Sequence, residues 1–330
     1  MVNKSGISHD SNFGGVGIFI SANDRVFEWT LAFLRSFRAS NPNLPLYLIP
    51  FNEQCDRILR LSRLYDFKLY VDSSFSVLEE IGSRLELGLT PTGPHWFRRF
   101  AAFWGPLDEF IYLDCRNLVL SDLNEIIMAP SKEGFDLLHY DCVVDQVYNV
   151  GDVRKSFLLD RRARGFNSGR WAARRGLFSL QELQQYAEEC LGVRDQMNLR
   201  NTDQFFLNYC CDRRGVRTGH LAEVLGDMCQ DGWARQPGYV YRAADGYRRW
   251  DFGGLNHKKR VPLLHWAGIK LSPAMPEAEL FYSFRDAEYG WGRRVLRKLG
   301  RMIRRPFINL MQGLRANRWI NETYHRMRGH

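Results

Sequence analysis

The chain has 330 residues, of which 45% are hydrophobic and 25% are charged, a composition typical of a folded protein with a sizeable core. It contains no 18-residue apolar run and no apolar signal-peptide centre, so we expect no membrane-spanning helix. The cysteines are odd in number, scattered and without a Cys-x-x-Cys motif, which predicts a reducing, cytoplasmic compartment and argues against a zinc or redox motif. There are seven of them, at positions 55, 115, 142, 190, 210, 211 and 229.

The net charge of +9 is concentrated at one end of the chain. Residues 291–330 contain eleven Lys or Arg and one acidic residue, a charge of +10, so residues 1–290 sum to −1. The main body therefore carries no excess of basic residues, and we expect no nucleic-acid partner.

Strands and helices are predicted to alternate after a polar leader at residues 1–12. Apolar runs predict the strands, and apolar residues at helical spacing predict the helices. The strands are expected at 15–20, 45–50 and 68–71, and the helices at 27–37 and 56–65. Asp24 is placed to cap the first helix. This order predicts an α/β fold with a mainly parallel sheet. Gly15 and Gly17 precede their strand without a third glycine, so they do not form a dinucleotide fingerprint.

A strand predicted at Phe110–Leu113 ends abruptly in charged residues. Asp114 and Arg116 follow it, and an apolar run resumes at 118–120. Charged groups at the carboxyl end of a buried strand lie where open α/β sheets place their ligands. Taken alone, the segment is also compatible with a strand followed by a polar turn and a surface ion pair.

The segment Tyr112-Leu113-Asp114-Cys115-Arg116, with the apolar run and Asp122-Leu123 beyond it, resembles the Asp-x-Asp region of GT-A glycosyltransferases. The most similar pattern is the retaining family-8 type, the group of glycogenin and the lipopolysaccharide galactosyl- and glucosyltransferases. In that family, Tyr-Leu-Asp-x-Asp supplies two acids to a divalent metal that binds the nucleotide-sugar diphosphate. This chain has the first acid, Asp114, and an arginine, Arg116, at the position of the second.

Other segments are similar to further motifs of the family and follow in the family's order. They are Ala22-Asn23-Asp24, Arg98 at sixteen residues before Asp114 with Arg99 beside it, Phe166-Asn167-Ser168-Gly169, Asp203-Gln204 with Leu207-Asn208, and His265 with Gly268 and Lys270. The family's last motif reads His-x-x-Gly-x-x-Lys, so Lys270 comes one residue early here.

The resemblance implies a set of binding and catalytic residues. Those expected to bind the nucleotide-sugar donor are Ala22, Asn23, Asp24, Arg98, Asp114, Arg116, Gly268 and Lys270. Asp203, Gln204 and Asn167 are expected to orient the sugar for catalysis. Of the two adjacent arginines, one is expected to be functional and the other to face solvent. Structural roles stay open as well: a turn and helix cap for Asp24, and an acid in the first turn of a helix capped by Asn201 or Thr202 for Asp203.

The resemblance also implies a Mn²⁺ or Mg²⁺ ion, for which only Asp114 and His265 remain as ligands. Arg116 adds positive charge at the place of the missing acid. We therefore expect Arg116 to pair with the diphosphate and to replace part of the metal's function, so that activity survives EDTA.

Later elements are predicted partly from residue pattern and partly from the resemblance. The residue pattern predicts a helix at 179–190 and strands at 134–141 and 261–264, and the resemblance implies a helix at 95–104 and a strand at 165–169. Residues 232–259 alternate aromatic residues with Arg and Asp. That pattern suits a carbohydrate-binding surface or, equally, a β-rich lobe with a small core of its own.

The basic tail at residues 285–330 is predicted to be amphipathic and helical. Its apolar positions are Val295, Leu296, Leu299, Met302 and Ile303 and, beyond Pro306, Phe307, Leu310, Met311 and Leu314, with Trp319 and Ile320 further on. A helix of this kind can lie on an anionic membrane surface. Docking of the apolar stripes on the main domain with the arginines solvated, or a contact between two copies, are the alternatives.

Together these features predict a single GT-A domain at residues 13–284, an αβα sandwich with a mixed, mainly parallel sheet, followed by the tail. The predicted activity is transfer of a hexose from a nucleotide-sugar, UDP-hexose by the resemblance, to a glycan or lipid-linked acceptor in surface polysaccharide or glycolipid assembly, with retention. The predicted location is the cytoplasm, peripheral on the inner face of the membrane. The alternatives are a nucleotide-sugar-binding or scaffold protein of the same fold that has lost catalysis, and a nucleotidyltransferase, which the missing Gly-rich phosphate loop disfavours.

Overall fold

The computed structural model describes residues 15–86, 93–161, 163–254, 256–306, 308 and 310. The predicted leader and the tail positions Phe307, Met311, Leu314, Trp319 and Ile320 lie outside the described residues. Strands β1 to β12 are, in chain order, Val16–Ala22, Leu46–Pro50, Lys68–Leu69, Glu109–Asp114, Asn117–Val119, Leu137–His139, Arg170–Arg174, Thr218–His220, Tyr239–Ala243, Gly246–Trp250, Lys259–Arg260 and Leu263–His265.

The helices surround these strands. Helices α1 to α9 are Phe27–Ser40, Asp56–Leu59, Phe75–Glu86, Asn124–Glu133, Asp152–Ser156, Leu180–Leu191, Gln204–Arg214, Leu221–Val224 and Ala278–Arg285. Residues 291–306 are also helical. The 3-10 segments are Asp24–Val26, Pro94–Trp104, Val144–Gln146, Arg194–Gln196 and Leu199–Asn201, and Phe157–Arg161 forms a π-helical turn. No helix in the described part of the chain is long and apolar enough to cross a membrane.

The central sheet has seven strands in the order β3-β2-β1-β4-β7-β6-β8. Every neighbouring pair is parallel except the two pairs that include β7. The predicted α/β fold with a mixed, mainly parallel sheet is therefore confirmed. The predicted strand at 165–169 is wrong, since these residues form an irregular segment and β7 begins only at Arg170. Here the chain leaves strand geometry because the side chain of Asn167 bonds to the backbone N–H of Gly169.

Strand alternation divides the core into two layers, one on each face of the sheet. Leu113 packs in one layer, whereas its neighbour Tyr112 packs in the other, against Trp171 at a centroid distance of 5.4 Å. The same alternation places Arg170 on the face opposite Trp171. The two layers therefore meet the carboxyl end of β4 from opposite sides.

Helix caps show where local prediction succeeds and where long-range contacts override it. Ser179 and Glu182 form a reciprocal capping box at the start of α6. Asp24 does not cap α1. Its carboxylate instead accepts hydrogen bonds from the backbone N–H groups of Arg57 and Ile58 at the start of α2. The predicted cap of α7 by Asn201 or Thr202 is also wrong, because Asp203 occupies that position.

Two smaller sheets complete the domain. Strands β9, β10 and β11 form an antiparallel sheet, which agrees with the predicted β-rich lobe. Strands β5 and β12 pair antiparallel, with Asn117 opposite His265. This pairing carries His265 back to the end of β4.

A buried histidine gives the domain a specific sensitivity to acid. Burial, with smaller contributions from the nearby His220 and Arg164, lowers the pKa of His139 to about 3 from an ordinary value of 6.5. Between these two values the unfolded chain binds a proton that the folded chain does not, so stability is lost as the pH falls below about 6.5.

As the pH falls from about 6.5 to about 4.5, we expect the free energy of unfolding of His139→Leu to decrease by about 2 kcal/mol less than that of the wild type. One pH unit is worth about 1.4 kcal/mol per proton. Urea unfolding at a series of pH values measures this difference. Parallel pH curves for the two proteins would contradict it.

Candidate functional site

A cavity of about 420 Å³ lies at the carboxyl ends of β1 and β4. The register of the two parallel strands sets Ser21 beside Asp114 at this edge. The residues lining the cavity are Ser21, Ala22, Asn23, Arg25, Val26, Phe51, Trp96, Asp114, Cys115, Arg116, His265, Ala267 and Gly268. It occupies the edge at which sheets of this class bind ligands.

Asp114 is held in place by backbone and side-chain contacts. Its own N–H donates to the carbonyl oxygen of Gly169 at 2.8 Å, and its carbonyl oxygen accepts from the Asn117 amide at 2.7 Å. The Tyr112 hydroxyl donates to the carboxylate at 3.1 Å. Arg99 Nη2 lies 3.3 Å from the same carboxylate oxygen, Oδ1. One oxygen of Asp114 is thus engaged by protein.

Arg99 connects the segments that build the site. Besides Asp114, its Nε lies 3.4 Å from Asp203 Oδ2, and its Nη1 donates to the carbonyl oxygen of Ser168 at 2.8 Å. The guanidinium also packs against the rings of Trp96 and Tyr112, each at 4.8 Å. Its side chain is only 2% exposed. Arg99 is therefore a buried cation shared by two carboxylates.

Asp203 is fully buried directly before α7 and does not line the cavity. Its Oδ1 accepts hydrogen bonds from the hydroxyls of Ser168 and Thr202. Burial raises the pKa of Asp203, and the charge of Arg99 opposes this rise. Thr202 itself has a φ of 54°, a strained conformation for a β-branched residue. The turn before α7 is thus built around the carboxylate of Asp203.

Two side-chain amides lie next to this network. Asn167 Nδ2 donates to Gln204 Oε1 at 3.0 Å, which joins two of the three predicted sugar-orienting residues. The fit around Gly169 is tight, because a Cβ atom there would lie 2.6 Å from Asp114 Oδ2 and 2.8 Å from Asn167 Oδ1. Glycine at this position lets the carboxylate and the amide approach the same backbone.

His265 faces Asp114 from β12 and is 1% exposed. Its ring stacks on Trp233 at 5.1 Å, and neither ring nitrogen has a hydrogen-bond partner among the described residues. Burial lowers the pKa of His265 well below its ordinary value, and the charges of Arg170 and two further arginines add to the effect. Burial therefore favours the neutral imidazole, and both of its nitrogens are buried and without a partner among the described residues.

The opposite end of the cavity is lined by Asn23 and by aromatic residues. The Asn23 side chain donates to Asn52 Oδ1 at 3.2 Å and accepts from Arg25 N, also at 3.2 Å. Phe51 and Trp96 meet edge to face at 4.8 Å. The sequence analysis did not predict Arg25, Phe51 or Trp96 as site residues. The only available signal for Trp96 was its position on a helical segment, three residues before Arg99.

Three of the predicted donor-binding residues do not line the cavity. Asp24 bonds to the start of α2, as described above. Lys270 is exposed beyond it. Arg98 is buried, with its guanidinium paired to Glu53 and Glu79. The expectation that one of the adjacent arginines faces solvent is wrong, since both are buried and reach different acids.

The residues at this edge do not fit a divalent metal. Within the described ranges, no group of three or more His, Cys, Asp or Glu is arranged to hold a metal ion. Asp114 and His265 are the two donors left by the Arg116 replacement. The Arg116 side chain lines the cavity and makes no hydrogen bond or ion pair with the described residues. A divalent cation here would have one carboxylate and one imidazole as protein ligands and would face the positive charges of Arg99 and Arg116.

The sheet order and the site at its carboxyl edge define the class of fold, that of the GT-A glycosyltransferases. No protein-family model and no curated protein matches the sequence. Among solved structures, the chain is similar to the apo form of WbbM, a bifunctional glycosyltransferase, with 14% identity and a TM-score of 0.52, over 86% of this chain and 51% of that chain. It thus spans about half the length of the WbbM chain.

Two further solved structures are similar at lower TM-scores. LgtC, a galactosyltransferase in complex with donor and acceptor sugar analogs, is 14% identical with a TM-score of 0.48, over 82% of this chain and 95% of that chain. The glycosyltransferase GlyE from Streptococcus pneumoniae TIGR4 is 10% identical with a TM-score of 0.43, over 87% of this chain and 64% of that chain. The likeness to WbbM confirms the fold predicted from the sequence.

The shared cation of the site leads to a prediction about stability. We expect Arg99→Met to lower the free energy of unfolding by about 3–5 kcal/mol, since it leaves Asp203 buried without its counter-charge. The double variant Arg99→Met/Asp203→Asn should lose less than the sum of the single variants. Urea unfolding measures all three.

The adjacent arginine provides the control. Arg98→Met should cost less, because its partner Glu53 is 80% exposed and can be solvated. Additive costs for the Arg99 and Asp203 substitutions would show that the pair does not interact.

Proposed function

We propose that this chain is a glycosyltransferase that moves a hexose from a nucleotide-diphosphate sugar to a carbohydrate or lipid-linked acceptor. The observation that carries the proposal is the cavity at the carboxyl edge of the sheet. There Asn23, Asp114, Arg116 and His265 meet in a fold shared with a solved glycosyltransferase. Uridine is the proposed base, and the amide of Asn23 and the rings of Phe51 and Trp96 are its proposed contacts.

The proposed chemistry is electrostatic. Breaking the bond between the sugar and the diphosphate leaves negative charge on the phosphate oxygens, and fixed positive groups lower the barrier to that step. Arg116 and the neutral His265 ring line the cavity where these oxygens would lie. An oxygen of the departing diphosphate would accept the acceptor's proton on the same face of the sugar, which gives retention.

Asn167 and Gln204 are the proposed contacts of the donor sugar. Their amides are already paired with each other, so each is oriented before a ligand arrives. Asp203 is fully buried and is therefore assigned a positioning role, through Arg99, on Asp114. Asp24, Arg98 and Lys270 do not line the cavity, and no contact with the donor is proposed for them.

The second candidate function is a nucleotide-sugar-binding protein without catalysis. The arginine at the position of the second acid favours it, because that replacement removes a metal ligand. The two candidates predict the same binding and differ in turnover.

Release of free nucleotide from nucleotide-sugars distinguishes them. We expect the protein to release UDP from UDP-hexoses faster than it releases GDP from GDP-hexoses. Asn167→Ala should reduce the turnover roughly ten- to a thousandfold in a protein that still folds, as for a residue that acts in the transition state.

Asn124→Ala is the matched control, since Asn124 is exposed at the start of α4. It should leave turnover unchanged. Tight UDP binding without any turnover would favour the binding protein, and equal rates for GDP-hexoses would contradict the proposed base.

The tail supports a proposed membrane location. In the helix at 291–306 the basic side contacts the domain, because Arg297 and Arg301 pair with the buried Asp286. The apolar side is exposed. Its exposed residues are Trp291, Leu296, Leu299, Met302 and Ile303, with Leu310 beyond. This orientation is the reverse of the alternative in which the apolar stripe docks and the arginines are solvated.

An exposed apolar stripe beside further arginines suits an anionic membrane surface. Basic residues near such a surface contribute about 1 kcal/mol each before screening, and the apolar residues add burial in the interface. We propose that this helix holds the enzyme at the inner face of the membrane, where a lipid-linked acceptor is available. A contact between two copies through the same stripe is the alternative.

Vesicle flotation tests this location. The full chain should float with phosphatidylglycerol vesicles at low salt and remain largely unbound with phosphatidylcholine vesicles. Leu296→Ser/Ile303→Ser should lose most of the flotation, since both side chains are exposed and the pairing to Asp286 is retained. Two results would argue against binding to the membrane surface. Either the double variant floats as well as the wild type, or copies of the wild type associate with each other and the double variant abolishes that association.

A further inference from the structure

Arg170, the first residue of β7, is a buried cation that forms no ion pair or hydrogen bond with the described residues, although Asp141 and Asp231 lie near enough to interact with its charge. It is 0% exposed, and none of its three guanidinium nitrogens has a hydrogen-bond partner among the residues that the structure describes. Its guanidinium carbon lies 4.6 Å from the ring centroid of Tyr140 and 5.0 Å from that of Trp233. The rings fix the group in place and leave its N–H groups unsatisfied.

The comparison with Arg249 shows that this is not a general property of buried arginines here. Arg249 is equally buried, yet its Nη1 and Nη2 donate to the carbonyl oxygens of Gln236 and Trp233 at 3.1 and 2.8 Å. A buried charge without hydrogen bonds is costly to keep in a fold. The presence of Arg170 at this position, despite that cost, therefore points to a ligand.

Arg170 does not line the cavity, whereas its neighbour His265 does. Both residues pack against Trp233. The close approach depends on Gly232, where a Cβ atom would lie 3.1 Å from Arg170 Nη1 and whose carbonyl oxygen accepts from the N–H of His265. Arg170 also pairs with Leu113 in the register of β4 and β7, one residue before Asp114.

Guanidinium groups thus approach Asp114 from both faces of the sheet. Arg99 lies on one face and Arg170 on the other, and Arg116 follows two residues later. Asp114 and Asp203 are shared by Arg99, whereas Asp141 and Asp231 lie within reach of the charge of Arg170 without a hydrogen bond to it. In the interior, where little water screens it, the field of a cation without a hydrogen-bonded partner extends into the adjoining cavity. The unsatisfied N–H groups of Arg170 favour an anion over a divalent cation.

We propose that Arg170, together with Arg116, supplies the positive charge that holds the donor's diphosphate in this cavity without a divalent metal. The inference rests on the proposed function, because the diphosphate is that of a nucleotide-sugar. Arg170 is a positioning residue: it acts through His265, which packs against the same Trp233 ring and lines the cavity. The missing second acid is then part of a working site rather than a sign of decay.

Isothermal titration of UDP and of inorganic pyrophosphate, each with EDTA and with Mn²⁺, tests the inference. The wild type should bind UDP in EDTA within about threefold of its affinity with Mn²⁺. Arg170→Met should weaken binding of both probes by about tenfold or more, and Arg170→Lys should fall between. Without ligand, Arg170→Met should keep or raise the thermal midpoint, whereas a structural arginine would lower it on removal.

Arg174→Met is the control, because Arg174 lies half exposed at the other end of β7. This substitution changes the net charge by the same amount as Arg170→Met. It should bind as the wild type does. Binding that requires Mn²⁺, equal affinity in Arg170→Met and wild type, or no binding of either probe overturns the inference. Should Arg170→Met fail to fold, Arg170→Lys still decides it. Failure of the proposed function looks different: both probes bind in an Arg170-dependent way, yet no sugar is released from its nucleotide.

Discussion

The ligand edge of this protein depends on one buried cation. Arg99 lies on a 3-10 segment, and its guanidinium reaches the end of β4 at Asp114, the turn before α7 at Asp203 and the start of β7 at Ser168. These three segments are remote from one another in sequence. Without the positive charge, two carboxylates would face each other in a region of low dielectric, and the segments would separate. The site is therefore assembled by charge rather than by apolar packing alone.

The same region shows a consistent preference for guanidinium over carboxylate. A metal site concentrates acids around a cation, whereas this edge concentrates arginines around a single cavity-lining acid, Asp114. The neutral state of His265 belongs to this arrangement, because neighbouring positive charges oppose its protonation. A diphosphate is the natural complement of such a field. The departure from the Asp-x-Asp pattern at Arg116 agrees with the rest of the site.

Much of the fold could be predicted because its signals are local. Apolar periodicity located β1, α1 and β4, and motif order brought Asp114 and His265 to one edge. The errors have long-range causes. Asp24 caps α2 rather than α1, since α2 packs beside it. The sequence could not show which of Arg98 and Arg99 reaches the site. Adjacent residues of a 3-10 helix point in directions about 120° apart, so only the orientation of the helix decides this. Arg170 was missed because a charge opening an apolar strand has no sequence signature of its own.

The reversed direction of β7 has a consequence for how such an enzyme can diversify. Strand β6 ends, and β7 begins, at the same edge as Asp114, because β7 runs antiparallel to both β4 and β6. The connection at residues 140–169 therefore leaves the sheet and returns to it on the ligand side. Insertions or deletions within it would reshape the surroundings of the cavity and leave the strand register untouched. A changed ligand could be accommodated there at little cost to folding.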